Sequence, residues 1–199
     1  MLPYDDRREH LLGTAARVFA AKGFHSTTMR DLARETGMSL AGMYHYVSGK
    51  DELLYLIQQQ CFAAVLQGAQ EALAPATDPR DRLERFIRHH VTFFAGHMNE
   101  MQVLSHEAES LNGERLNGIN QLKRQYVALL TDMIRGVDGG RREIDSHVAS
   151  YALFGMMNWI YNWYDPAGPV SPETLSDQFA RLFLDGLTTT THNAVSPGG

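Results

Sequence analysis

The chain has 199 residues, of which 44% are hydrophobic and 21% charged, which is ordinary for a globular protein of one large or two small domains. No apolar run reaches the roughly 18–20 residues that a membrane-spanning helix needs, and the N-terminal sequence shows no secretion signal. The single cysteine, Cys61, excludes an internal disulfide. These features predict a cytoplasmic protein that does not associate with a membrane.

Charge is distributed unevenly along the chain, although its formal net value is only −5. The first 50 residues carry seven Lys or Arg and five Asp or Glu, whereas the remaining residues carry 11 and 18. The N-terminal part is therefore the part that we expect to face a polyanion.

Nearly every segment has the pattern of an α-helix. Apolar residues recur at spacings of three and four, no strand-like alternation appears, and short clusters of Gly, Pro, Ser and Asp separate the segments. The pattern predicts an all-α protein with helices at 6–22, 28–36, 39–46, 49–73, 78–97, 100–109, 113–135, 144–164 and 172–188. We predict a small domain over 1–48, a helical bundle over 49–188 and a disordered tail over 189–199.

The first three helices have the spacing of a helix-turn-helix unit. Thr28 and Asp31 form a predicted capping box at the start of the second helix. Gly37 ends that helix, and Ser39 caps the third. Two short helices joined by a tight turn with a glycine make up the helix-turn-helix pattern, so 39–46 is the candidate recognition helix.

The composition of this recognition helix suits close approach to DNA. Ala41 and Gly42 are small enough to let its N-terminus lie deep in the major groove. Tyr44 and His45 offer hydrogen bonds and flat faces to bases or phosphates. The sequence thus predicts a helix that reads double-stranded DNA.

Three helix starts are candidate phosphate sites. Unpaired backbone amides near Thr28, Ser39 and Lys50 suit a phosphate group, and Lys50 adds a positive charge. Ser48 with Asp51 forms a further predicted capping pair, which would start the helix that contains Lys50.

The stretch from Thr27 to Leu54 resembles the signature of the TetR family of repressors. The turn glycine, the cap serine, Gly-Met-Tyr-His-Tyr and Ser-Gly-Lys-Asp-Glu-Leu-Leu all fall at the expected spacing. The resemblance implies a homodimer on a palindromic operator, released when a ligand binds the C-terminal domain. The DNA contacts that it implies are Thr28, Ser39, Ala41, Gly42, Tyr44, His45 and Lys50, with Tyr46 packed inward. Many relatives have a basic residue where this chain has Leu40 and Ala41, so we expect readout to depend on Tyr44, His45 and DNA shape.

The last two predicted helices are candidates for a dimer interface. Helix 144–164 is apolar almost all round and must be covered on two sides. Gly155 and Gly186 permit close helix approach. The resemblance implies that these helices form half of an intersubunit four-helix bundle; a large monomeric core is the alternative.

The middle helices are rich in aromatic residues and methionine, which suits an apolar ligand cavity with a few polar anchors. Candidate ligand contacts are Phe94, Met98, Met101, Tyr126, Met133, Met156, Asn158, Trp159 and Asn162. Further candidate anchors are His90, His97, His106 and Arg124. An ordinary core with polar side-chain ends turned to water or backbone is the alternative.

The segment from Asn158 to Glu173 is similar to a segment in TetR-type regulators of fatty-acid and sterol catabolism. That similarity implies an acyl-CoA ligand, with its acyl chain between the middle helices and its charged end at a basic opening. Some relatives carry a basic residue where this chain has Asn162, and Asp165 adds a negative charge nearby. Arg85, Arg88, Lys123 and Arg124 are candidates to supply the basic opening.

Other chemistries find little support in the sequence. His90, His97 and His106 have no companion motif for metal, and no nucleophile motif such as GxSxG is present, so we predict no metal, no cofactor and no enzyme activity. Two alternatives stay open. One is a DNA-binding regulator of the same fold without a small ligand, and the other is a helical-bundle enzyme or carrier.

Overall fold

The computed structural model describes residues 4–107, 109–139 and 144–188, so the predicted tail over 189–199 lies outside the described residues. The described part is helical without strands, which confirms the predicted fold class. The helices are α1 (Tyr4–Lys22), α2 (Met29–Thr36), α3 (Leu40–Met43), α4 (Lys50–Leu73), α5 (Pro79–Ala95), α6 (Met98–His106), α7 (Gly113–Asp138), α8 (Ser146–Asn158) and α9 (Pro172–Thr188), with a 3-10 turn at Trp159–Asn162. No helix among these residues is long and apolar enough to cross a bilayer.

Local capping chemistry positions the short N-terminal helices. Thr28 and Asp31 form the predicted capping box, and these hydrogen bonds lower the pKa of Asp31 to about 2. Gly37 ends α2 in the left-handed conformation, with φ of 68°, which glycine adopts without a steric penalty. The start of α4 differs from prediction because Gly49 is the N-cap. Glu52, rather than Asp51, therefore reaches back to accept from the backbone N–H of Ser48.

The predicted helix 144–164 is interrupted. Regular α-helix ends at Asn158, and the backbone tightens into the 3-10 turn that follows. The carbonyl of Ile160 accepts from the N–H groups of both Trp163 and Tyr164, which closes the turn before the loop that leads to α9. The turn buries Ile160 and leaves Trp159 60% exposed. The apolar segment that was predicted to be one helix therefore contributes residues both to the core and to the surface.

Two buried apolar clusters form the core. The larger one lies between α4, α5, α6, α7, α8 and α9, with α5 packed most extensively against α9. The smaller one joins the helix-turn-helix unit to the N-terminal half of α4, to Val103 of α6 and to Ile119 of α7. Phe62 of α4 packs against both clusters, so α4 and α6 connect the two ends of the molecule.

Candidate DNA-binding surface and ligand cavity

The candidate recognition helix is shorter than predicted but keeps its cap. The Ser39 hydroxyl accepts from the N–H of Gly42 at 3.0 Å, and regular helix runs only from Leu40 to Met43 before turns that extend to Val47. Met43 and Val47 are buried and anchor the segment to the smaller core cluster. A Cβ at Gly42 would lie 3.0 Å from Ser39 Oγ, so glycine lets the cap form without displacement.

Most predicted DNA contacts are exposed residues of the N-terminal unit. The exposed members are Thr28, Ser39, Ala41, Tyr44 and His45, and Gly42 is half-buried. Tyr44 is 50% exposed, which is high for a large aromatic side chain. Tyr46 is instead half-buried against the smaller core cluster, the inward packing that the family resemblance implied, and its ring stacks on the exposed Tyr4 at 4.7 Å between centroids.

Lys50 is placed differently from the other predicted contacts. Its Nζ donates to the backbone carbonyl of Phe24 at 2.7 Å and to that of Thr27 at 3.0 Å, and it lies 4.4 Å from the centroid of the Phe24 ring. The ammonium is therefore engaged by the turn between α1 and α2. Sequence reasoning missed this role because the partners are 23 to 26 residues away.

A cavity of about 260 Å³ lies between α4, α5, α6, α7 and α8. Of the predicted ligand contacts, Phe94, Met101, Tyr126 and Asn158 line it, as does the predicted anchor His90. The remaining lining residues are Phe62, Val65, Leu104, Ser105, Lys123, Val127, Tyr151 and Phe154. Helix α4 forms a wall that the sequence-based prediction lacks, and the apolar helical spacing of Phe62 and Val65 is the signal that could have indicated it.

Five predicted contacts lie elsewhere. Met133 is buried in the larger core cluster, and Met98 and Met156 are half-buried outside the cavity lining. Trp159 and Asn162 are exposed on the 3-10 turn, because the interruption after Asn158 directs them away from the helix face that meets the cavity.

Polar groups in the cavity form a connected set. His90 is fully buried, with Nδ1 3.1 Å from the Tyr126 hydroxyl and Nε2 3.1 Å from Asn158 Oδ1. Burial lowers the pKa of His90 to about 3, so the ring is neutral. Because the Asn158 oxygen only accepts, Nε2–H donates to it and Nδ1 accepts from Tyr126. The Asn158 side-chain nitrogen keeps its donor capacity, with no hydrogen-bond partner among the described residues.

A basic groove of about 470 Å³ adjoins the cavity along α7 and α8. Lys123, Val127 and Tyr151 line both depressions. The groove also contains Arg124, Arg135 and His147, together with one acid, Asp132, which pairs with Arg135 at 3.1 Å. Partial burial lowers the pKa of Lys123.

The other two arginines considered for the basic opening are paired with acids elsewhere. Arg85 bonds Asp81 within α5, and Arg88 bonds Asp177 on α9. Of the four basic candidates, Lys123 and Arg124 are therefore the two that line the groove.

Comparisons with known proteins agree with both halves of this description. Residues 11–55 match the family described as bacterial regulatory proteins, tetR family, and residues 76–187 match the tetracyclin repressor-like C-terminal domain. The transcriptional repressor KstR2 of Mycolicibacterium smegmatis is 26% identical over 194 residues, covering 92% of this chain and 91% of that protein.

Two solved structures extend the likeness to the fold. AibR in complex with isovaleryl coenzyme A and operator DNA is 28% identical with a TM-score of 0.78, covering 88% of this chain and 97% of that one. The regulator PfmR of Thermus thermophilus is 30% identical with a TM-score of 0.80, and the match covers 90% of this chain and 99% of that one.

Proposed function

Since this chain belongs to the TetR family of bacterial regulatory proteins, we propose that it represses transcription as a homodimer on a palindromic operator and is released by a short-chain acyl-CoA. The family confirms the prediction of a transcriptional regulator rather than an enzyme. Operator binding, the dimer and the ligand belong to the proposal, and separate features of the molecule support each.

The exposed surface around α3 supports operator binding. In our proposal the capped N-termini at Thr28 and Ser39 bind phosphates. Ala41 and Gly42 let the backbone approach the major groove, where Tyr44 and His45 contact base edges. Lys50 acts from behind this surface by holding the turn before α2.

Exposed apolar side chains on α8, the 3-10 turn and α9 support the homodimer. Trp159 is 60% and Leu182 68% exposed, and Val148 is exposed on the neighbouring helix. Gly155 and Gly186, also exposed, leave room for close helix packing. A second copy of the chain would cover these side chains by forming a four-helix bundle, as the family resemblance implied.

The cavity supports a small acyl group. Its volume of about 260 Å³ exceeds the roughly 150 Å³ of an engineered cavity that binds benzene, and it is below the ~300–1,000 Å³ of sites for drug-sized ligands. A short or branched acyl chain fits this space, whereas a long chain requires the helices to separate. The free Asn158 amide nitrogen is a donor for the thioester carbonyl.

The observation that carries the proposal is the continuity between cavity and groove. Because Lys123, Val127 and Tyr151 line both, one ligand can place an apolar end in the cavity and a polyanionic end along Lys123, Arg124 and Arg135. A coenzyme A thioester has this distribution of apolar and charged groups, as in the isovaleryl coenzyme A bound to AibR.

The test uses operator DNA selected in vitro and three probes: isovaleryl-CoA, palmitoyl-CoA and coenzyme A. We expect isovaleryl-CoA to bind most tightly in calorimetry and to release the operator in fluorescence anisotropy. Substitution Arg124→Ala should weaken its binding about tenfold, the loss of roughly one charge-assisted contact. Arg88→Ala is the matched control, because Arg88 pairs with Asp177 outside the groove. Operator binding without a response to any acyl-CoA would support the regulator without a small ligand.

A further inference from the structure

Helix α6 lies between the cavity and the helix-turn-helix unit. Met101, Leu104 and Ser105 of α6 line the cavity. The helix ends at His106, and the next residue, Glu107, is its C-cap. Within about two turns of helix, the chain therefore passes from the proposed ligand to the base of the DNA-binding unit.

The Glu107 side chain is buried and directed into that unit. One carboxylate oxygen, Oε1, accepts from the backbone N–H of Phe24 at 3.1 Å, and the other accepts from the Ser110 hydroxyl. The Glu107 carbonyl accepts from Gln58 Nε2 at 3.0 Å, which ties the same residue to α4. A carboxylate is costly to bury, so its position is fixed by the donors that compensate for the lost water.

Phe24 is held from two sides by opposite charges. Its N–H donates to Glu107, which follows α6, and its carbonyl accepts from Lys50 at the start of α4. Its ring is buried against Phe19 at 5.2 Å between centroids. One residue of the N-terminal unit is thus bonded to both helices that connect it to the cavity walls.

The turn that contains Phe24 is internally bonded. The N–H of Thr27 donates to the Phe24 carbonyl at 3.2 Å, and the Thr27 hydroxyl donates to the Gly23 carbonyl at 2.8 Å. Thr28, the next residue, caps α2 and belongs to the proposed phosphate contacts. Hydrogen bonds therefore connect Phe24 to the residue that precedes the α2 cap.

We propose that Glu107 is the positioning residue through which occupancy of the cavity moves the helix-turn-helix unit, an inference that rests on the proposed function. A group that enters the cavity displaces α6, and the buried hydrogen bond carries that displacement to Phe24. Gln102, on the same helix, donates to the Ala20 carbonyl at 3.0 Å and adds a second connection to α1.

The test compares Glu107→Leu, which removes the acceptor, with Glu107→Gln, which keeps one acceptor oxygen. Asn99→Ala, at an exposed position of α6, is the control. The readout is the coupling ratio, the operator Kd with saturating isovaleryl-CoA divided by the Kd without it. We expect Glu107→Leu to lower the ratio at least fivefold, with isovaleryl-CoA affinity within twofold of the unmodified protein, and Glu107→Gln to restore it. An unchanged ratio in folded Glu107→Leu overturns the proposal.

A second measurement separates this inference from the ligand class. Val127→Trp adds bulk to the cavity without any ligand. It should weaken operator binding when Glu107 is present and have at least fivefold less effect in the Glu107→Leu background. If isovaleryl-CoA fails to bind, the proposed ligand class fails while this double-mutant cycle still decides the role of Glu107. If Glu107→Leu does not fold, the same cycle with Glu107→Ala decides, and additive effects there overturn the proposal.

Discussion

Mild acid should destabilise this protein because His90 must stay neutral to remain folded. The ring is fully buried among Phe86, Phe94 and Phe154, and its two nitrogens are used by Tyr126 and Asn158. Burial lowers its pKa from 6.5 to about 3; the hydrogen bond to Asn158 opposes this shift, and the neighbouring His89 adds to it. Since the folded-state pKa is depressed, the unfolded chain takes up a proton first as the pH falls. The stability is therefore complete above about pH 6.5 and is lost progressively towards pH 3.

The size of the loss follows from the two pKa values. At pH 7.5 neither state is protonated to a significant extent at this position. A pH of 5.0 is 1.5 units below the pKa of 6.5 that His90 has in the unfolded chain, so the unfolded state is protonated there. The same pH is well above the pKa of about 3 in the folded protein, so the folded state stays neutral. Since one pKa unit corresponds to about 1.36 kcal/mol, His90 lowers the free energy of unfolding by about 2 kcal/mol between these pH values.

The assay is urea unfolding at pH 7.5 and pH 5.0, at one protein concentration because the proposed dimer makes stability concentration-dependent. His90→Gln keeps hydrogen-bonding capacity but does not titrate, so it should lose about 2 kcal/mol less than the unmodified protein on acidification. His89, whose pKa burial also lowers, is present in both proteins and cancels in the comparison. An equal loss in both proteins would refute the assignment of a neutral, buried His90.

Three further substitutions test the structure directly. Lys50→Met removes the ammonium from the turn before α2, so the free energy of unfolding measured in urea should fall by about 2 kcal/mol. If stability is unchanged and the slope of log operator affinity against log salt concentration instead falls by about 0.9, Lys50 contacts a phosphate. Gly68→Ala places a Cβ 2.5 Å from the His89 ring, so the free energy of unfolding measured by thermal unfolding should fall by ~1–3 kcal/mol. Gly13→Ala is the control and should not destabilise the protein, because a Cβ at Gly13 meets open space. Leu182→Glu should convert a dimer to a monomer in sedimentation, and an unchanged sedimentation coefficient would exclude α9 from the interface.

The features that the sequence predicted correctly are those set by neighbouring residues. The Thr28–Asp31 capping box and the Ser39 cap each need only three residues of context. Gly37 adopts the left-handed conformation, which glycine tolerates because it has no Cβ, whatever the surrounding structure. Apolar spacing along each helix was enough to identify the all-α class, because helical periodicity is a local property of the chain.

The features that could not be predicted from the sequence depend on contacts between distant parts of the chain. The 3-10 turn after Asn158 leads into a loop to α9 that is held by a distant contact, because the Tyr164 hydroxyl donates to the Val170 carbonyl at 2.8 Å. The apolar run around it gives no sign of that contact. Trp159 and Asn162 were therefore assigned to the cavity although the turn exposes them. Phe62 of α4 lines the cavity although the predicted ligand contacts, from Phe94 to Asn162, all follow that helix in the sequence.

Helix α4 bears on how the proposed DNA-binding and ligand-binding functions can affect one another, because it contributes to both core clusters. The boundary predicted at residue 49 separates the proposed DNA-binding residues from the proposed ligand-binding residues along the sequence, but it does not divide the core. Leu53 and Ile57 of α4 and Val103 of α6 are buried in one cluster with the helix-turn-helix unit. Close-packed side chains transmit displacement because few voids are available to absorb it. A shift of α4 or α6 must therefore move the N-terminal unit or open its core, and the bonds from Lys50 and Glu107 to Phe24 favour movement of the unit as a whole.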